Sequence, residues 1–111
     1  MPLLTINAIA LIAMIKYVID GYVVDVLLPD LVGHDRKPAA YLVYLFLLCT
    51  SERTDKASVA ISLQDIAVRT GLAKSTVQAA IRHLKSRGLI DAKTVASTTR
   101  PIRRVLKPWV K

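Results

Sequence analysis

The chain has 111 residues, a single cysteine and a net charge of +8 at neutral pH. A chain this short holds one domain without room for a second, catalytic one, and the lone Cys49 excludes both an intrachain disulfide framework and a cysteine-rich zinc site. The positive charge is one-sided: residues 1–61 hold five Lys/Arg against six Asp/Glu and residues 62–111 eleven against two, a distribution that fits a polyanionic partner because gathered cations release the counterions condensed on phosphates.

In chain order, Thr5 to Ile19 is apolar nearly all round and reads as a helix buried on several sides, stopped by Asp20 and Gly21. The longer stretch from Leu3 to Ile19 is the one place where a membrane could be argued, but Thr5, Asn7 and Lys16 interrupt it and it is short for a span. It also lacks the basic start and small-residue cleavage site of a signal peptide, so the expected compartment is the cytoplasm. YVVDVLL, Tyr22 to Leu28, is β-branched and predicts a strand ended by Pro29. Pro29 to Lys37 is rich in turn formers and predicts a loop, and Pro38 suits the first turn of a new helix. That helix, over 38–49, places Tyr41, Leu42, Leu45, Phe46, Leu48 and Cys49 over much of its circumference and is the expected core helix.

After a polar connector at 51–56, VAI (59–61) is a short strand candidate. Ser62, with Asp65 three residues on, approaches a capping box, and the helix it opens runs from Leu63 to about Thr70 with Ile66 inward. Gly71 permits the positive φ of a tight inter-helix turn. A second helix over about 74–87 stops at Gly88, with Leu89 following as in a Schellman cap. LIDAK and IRRVL, flanking a Thr/Ser/Ala/Pro loop, predict a β-hairpin.

The small Ala67 lies where two helices must approach, Gly71 sits at the turn, and Val77 faces inward; this spacing is the steric skeleton of a helix-turn-helix. Val77, Ile81 and Leu84 form one buried stripe, which at about 100° per residue leaves Ser75, Gln78, Ala79, Arg82 and Ser86 opposite. The chemistry of that face suits the major groove: Arg82 can fork onto guanine, Gln78 onto adenine, Ser75 can bond a base or a phosphate, and the Ala79 methyl can pack on thymine. Lys74, Lys85 and Arg87 flank it and suit phosphates, which fix register without reading sequence.

The segment SLQDIAVRTGLAKSTVQAAIRHLKSRGLI followed by a basic hairpin resembles the winged helix-turn-helix domain of bacterial MarR-like and GntR-like regulators, over residues 59–106 and, with the preceding helix, most of the C-terminal two-thirds. The resemblance implies that the second helix enters the major groove and that the hairpin wing, about 94–104, lies on the DNA backbone or in the minor groove. Ser75, Thr76, Gln78 and Arg82 then match groove-facing positions, and Arg100, Arg103 and Arg104 the basic wing. Two departures stand out. Ala73 occupies the expected N-cap of the second helix, where many relatives have Ser or Thr, and Ser75 with Gln78 offers a substitute capping box that would draw Ser75 away from the bases. Residues 1–35 lie outside the common motif.

Other constellations are weaker. His34 beside Asp35 lacks a third ligand at sensible spacing in sequence. His83, off the buried stripe, suits a phosphate or solvent. Asp20, Asp25, Asp30 and Asp35 recur every five residues, a period of neither helix nor strand, and read as coincidence. Trp109, near the C-terminus, suits anchoring of the tail. No catalytic triad, phosphate-binding glycine loop, metal set or cofactor motif stands out.

The expected fold is therefore mainly α with a small β-hairpin (α+β), a winged helix-turn-helix over 36–111 with an appended N-terminal helix and strand over 1–35. An apolar content of 53%, high for so small a domain, points to the extension as a homodimerisation element. The expected activity is double-stranded DNA binding by a bacterial, non-enzymatic transcriptional regulator, through Lys74, Ser75, Thr76, Gln78, Ala79, Arg82, Lys85, Arg100, Arg103 and Arg104. Alternatives are a plasmid or phage replication-initiator module, a winged helix that binds protein, and membrane association through Leu3 to Ile15.

Overall fold

A computed structural model describes residues 6–54, 56–93 and 100–110. The first helix, α1 (Ile6–Met14), ends in a tightened turn in which Ile15 N–H bonds Ile12 O at 3.0 Å. It stops short of the expected Ile19 and is not buried within the protomer: Leu11 is 65% and Met14 76% exposed. An irregular stretch follows, pinned where the Arg53 guanidinium lies 5.5 Å from the centre of the Tyr17 ring and its Nε donates to the phenol oxygen. Gly21 then opens the next helical stretch instead of ending the previous one.

YVVDVLL is not a strand. Two wide helical turns, π1 (Val23–Leu27) and π2 (Pro29–His34), carry hydrogen bonds that run i→i+5, from Leu28 N–H to Val23 O and from Asp35 N–H to Asp30 O. β-propensity is a preference for a pleated, half-buried surface with a neighbouring strand to pair with, and tertiary packing overrides it. Here Val23, Leu27 and Leu31, four residues apart, turn one apolar stripe into the core, and the Tyr41 hydroxyl donates to Val23 O at 3.1 Å. Pro29 does not end the segment, because it occupies a first-turn position of π2, where its missing N–H costs nothing. The expected loop over 29–37 is thus helical through His34.

The core helix α2 (Pro38–Arg53) begins at its proline and runs past the expected Cys49. The polar residues beyond are accommodated because Thr50 and Ser51 hydroxyls donate back to Phe46 O and Leu48 O, each at 2.7 Å. Ala40, Tyr41, Val43, Tyr44, Leu47 and Leu48 are buried, whereas Leu42, expected in the core, is exposed. Strand β1 (Ser58–Ala60) leads into α3 (Leu63–Thr70) and α4 (Lys74–Ser86). β1 pairs antiparallel with β2 (Ile102–Arg104), with Val59 opposite Arg103.

The two arms of the expected hairpin meet at its base. Ile90 bridges Val105, Asp91 N–H bonds Arg104 O at 3.0 Å and Leu106 N–H bonds Leu89 O at 2.9 Å. The first arm is too short to be a strand in its own right, so β1 is the main partner of β2. Residues 94–99, most of the expected wing loop, lie outside the described residues. The sheet closes over α2, whose Tyr44 hydroxyl donates to Leu106 O at 2.8 Å. Burial raises the Tyr44 pKa well above the usual phenol range, with Asp20 adding to the shift. Trp109 anchors the tail as expected: its ring stacks on Tyr22 at 4.6 Å and its indole N–H donates to Asp20 at 3.0 Å.

Candidate nucleic-acid interface

Local chemistry specifies the α3–α4 pair. The Ser62 hydroxyl accepts from Asp65 N–H at 3.0 Å, satisfying one of the donors a helix start leaves open. α3 ends at Gly71, whose φ of +79° lies in the left-handed region and whose N–H bonds Ala67 O at 2.9 Å. α4 then starts at Lys74 with Ala73 as an N-cap that offers no side-chain bond, so Ser75 lies in the first turn and not at the cap position. The far end is closed by Leu89 N–H bonding Leu84 O at 3.0 Å and Gly88 N–H bonding Lys85 O at 3.1 Å, both bonds of a Schellman motif.

Val77, Ile81 and Leu84 are buried as the periodicity requires, with Ala80 completing the stripe. Lys74, Ser75, Gln78, Ala79, Arg82 and Ser86 are exposed, and Thr76 and Lys85 are half-buried at the margins. The Ser86 hydroxyl is spent on His83 O at 2.6 Å. The rest of the exposed face, including the Arg82 guanidinium and the Lys74 ammonium, makes no hydrogen bond or ion pair among the described residues.

The basic residues of the sheet divide by register. Side chains alternate along a strand, so β2 presents Ile102 and Arg104 outward and Arg103 inward. Arg103 is 5% exposed and donates its Nε to Ile61 O at 3.0 Å. Burial lowers its pKa from the ordinary value, yet a guanidinium stays charged at neutral pH. Arg103 therefore braces the sheet against the start of α3 from a buried position, while Arg104 and Arg100 are exposed.

A third group was not legible as a site. His83 and Arg87, at the C-terminal end of α4, turn toward π2 and not toward solvent or a phosphate. His83 Nε2 bonds Asp35 Oδ2 at 2.7 Å, Arg87 Nη1 bonds both Asp35 oxygens at 3.0 Å, and Arg87 Nη2 pairs with Asp30. His34 adds a bond to Asp35 at 2.9 Å. With its side chain 7% exposed, the Asp35 carboxyl is held below its usual pKa by the hydrogen bonds from His34 and His83, which together with the Arg87 charge outweigh desolvation. Asp30 is thus the third acid or imidazole group that sequence spacing did not place beside His34 and Asp35, but Arg87 already supplies the positive charge there. Of the four aspartates spaced by five, only Asp30 and Asp35 meet here, as the two ends of one i→i+5 backbone bond of π2.

Arg36 and Lys37, absent from the expected set, line a cleft together with Ser75, Thr76 and Ala79 of α4. Among the described residues no helix is long and apolar enough to cross a membrane.

No curated protein and no solved structure matches the chain in comparison. A family model described as the MarR family matches residues 38–100, from the start of α2 to the foot of β2. That family is one of winged-helix transcription regulators, and the match spans more than half of the chain and the whole capped helix-turn-helix just described. The chain belongs to the MarR family.

Proposed function

We propose that the protein binds double-stranded DNA sequence-specifically as a small homodimeric transcriptional regulator, with α4 in the major groove. The observation that carries this reading is the division of α4: an apolar stripe locked into the core, and an opposite face whose Ser75, Gln78, Ala79 and Arg82 have no internal partner. Polar side chains with unspent hydrogen-bonding capacity on a rigid helix are what base-edge reading requires. Arg82 takes guanine and Gln78 adenine, while Lys74, Thr76 and Lys85 steady the helix on phosphates. At the sheet, Arg104 and Arg100 take the backbone, and Arg103 is left a structural role.

Dimerisation through the N-terminal segment is supported by the exposed Ile9, Leu11, Ile12, Met14, Ile15 and Val18. Apolar surface of that amount costs free energy in water, a cost that a second copy would relieve. Two α4 helices about one DNA turn apart then call for a palindromic site. The lone thiol of Cys49 suits the reducing cytoplasm of a bacterium.

The test is selection of bound sequences from random duplex DNA with wild type and Arg82→Ala. The variant should lose preference at one guanine position per half-site, at a cost of about 1–3 kcal/mol. With three or four phosphates neutralised per protomer, log affinity should fall against log salt with a slope of roughly −5 to −7. Unaltered preference in the variant would refute the assignment of α4 as the reading helix.

A further inference from the structure

We propose that Arg36 and Lys37 form a second grip on the DNA backbone, holding a phosphate of the strand beside the groove that α4 reads; this rests on the reading of α4 as the recognition helix. The residues lie just before the stretch that the family model matches.

The turn before α2 and the N-terminal half of α4 enclose an open cleft of about 350 Å³. Arg36 and Lys37 line one side, and Ser75, Thr76 and Ala79 the other. A duplex laid along the exposed face of α4 therefore passes over this cleft.

Its charge is uncompensated. Both residues are exposed, and neither side chain makes a hydrogen bond or ion pair among the described residues. No carboxylate lines the cleft. The neighbouring acid in sequence, Asp35, is engaged with His83 and Arg87. Arg87 is spent internally on Asp30 and Asp35, Lys107 on Glu52 and Arg103 on Ile61 O, whereas Arg36 and Lys37 share their unpartnered state among the described residues with Arg82 and Lys74 of α4.

The backbone adds a second observation. Arg36 has a φ of +56°, the only positive φ at a non-glycine among the described residues. An L side chain pays roughly 1–2 kcal/mol for that conformation. It is held by the bonds on either side, Asp35 N–H to Asp30 O and Lys37 N–H to Leu31 O, both 2.8 Å. A glycine would meet the backbone demand with less strain, so the arginine side chain needs its own explanation. A guanidinium forks onto two phosphate oxygens and an adjacent ammonium adds a point charge, which together suit a phosphodiester.

The experiment measures binding of the full-length protein to its selected site and to random duplex over a range of salt concentrations, with wild type, Arg36→Ala/Lys37→Ala and Arg36→Gly. The double variant should weaken binding to both duplexes by the same factor, on the order of tenfold at moderate salt, flatten the salt slope by about 1–2, and leave base preference intact. Arg36→Gly relieves the backbone, so it should melt no lower than wild type while still losing affinity; weaker binding in a more stable protein cannot come from misfolding. If both variants keep wild-type affinity and slope while Arg82→Ala relaxes base preference, the grip is refuted and the reading helix stands. If the wild type shows no salt-dependent binding to duplex DNA, both fall together.

Discussion

The segment up to Asp35 and the body that follows it solve the same problem, placing apolar residues out of water, in different ways. In the body most helix boundaries have a local cause: Pro38 at the start of α2, Ser62 capping α3, Gly71 turning the chain and the Schellman bonds closing α4, with the uncapped start of α4 at Ala73 an exception. In the N-terminal segment α1 leaves Ile9, Leu11, Ile12 and Met14 exposed, and π1 and π2 are held by what they touch, Tyr41 and α4's His83 and Arg87, more than by their own propensities. Agreement between local signals and packing marks the part that stands as a unit. Its absence marks the part whose conformation depends on neighbours, within the protomer or in a second copy.

Substitutions can break or sharpen this contrast. The largest effect is expected in the body: Leu84→Ala removes a fully buried side chain of α4 and should cost about 3 kcal/mol in urea unfolding. Next comes the joint between the two regions. Asp35→Asn should cost about 2 kcal/mol at neutral pH, the scale of hydrogen bonds to a charged group. Because its carboxyl is depressed below 3.8 in the folded state, the contribution of Asp35 is fully present above that value and fades as pH falls through the lowered folded pKa. Wild type and variant should therefore converge in acid, and a constant gap down to pH values below that transition would contradict the assignment.

Smaller effects test the caps. Ser62→Ala should destabilise by about 1 kcal/mol, and Ala73→Ser should stabilise by up to about 1 kcal/mol by giving α4 the cap it lacks; thermal melts of the pair should move in opposite directions. The smallest change in folding is expected at α1, where Leu11→Lys should alter monomer stability by less than about 0.5 kcal/mol. Sedimentation should nevertheless show loss of self-association, separating assembly from folding.

The same contrast explains what could be read in advance. The helix-turn-helix was legible because Val77, Ile81 and Leu84 keep helical period between residues with strong local preferences, Ser62, Gly71 and Gly88. The exposed positions opposite the buried stripe followed from that period. The inward turn of Arg103 follows from strand alternation, but three basic residues close together hid it. Tyr22 to Leu28 misled because β-branched residues were read by propensity, when a strand also needs an edge to pair with. The inward turn of His83 and Arg87 has no local signal, because their partners, Asp30 and Asp35, lie about fifty residues away in sequence.

The docking of Trp109 on Tyr22 and Asp20 has a practical consequence. It is the sole tryptophan, and it sits where the end of the chain closes over the segment leading into π1. Its ring also meets Tyr44 of α2 edge-on at 6.5 Å, so its emission reports how the tail sits between that segment and the core helix. Steady-state fluorescence would follow release of the tail from this seat, while far-ultraviolet circular dichroism follows the helices. Coincident transitions would mean that the tail and the helices melt as one, and an earlier fluorescence change would show the tail letting go first.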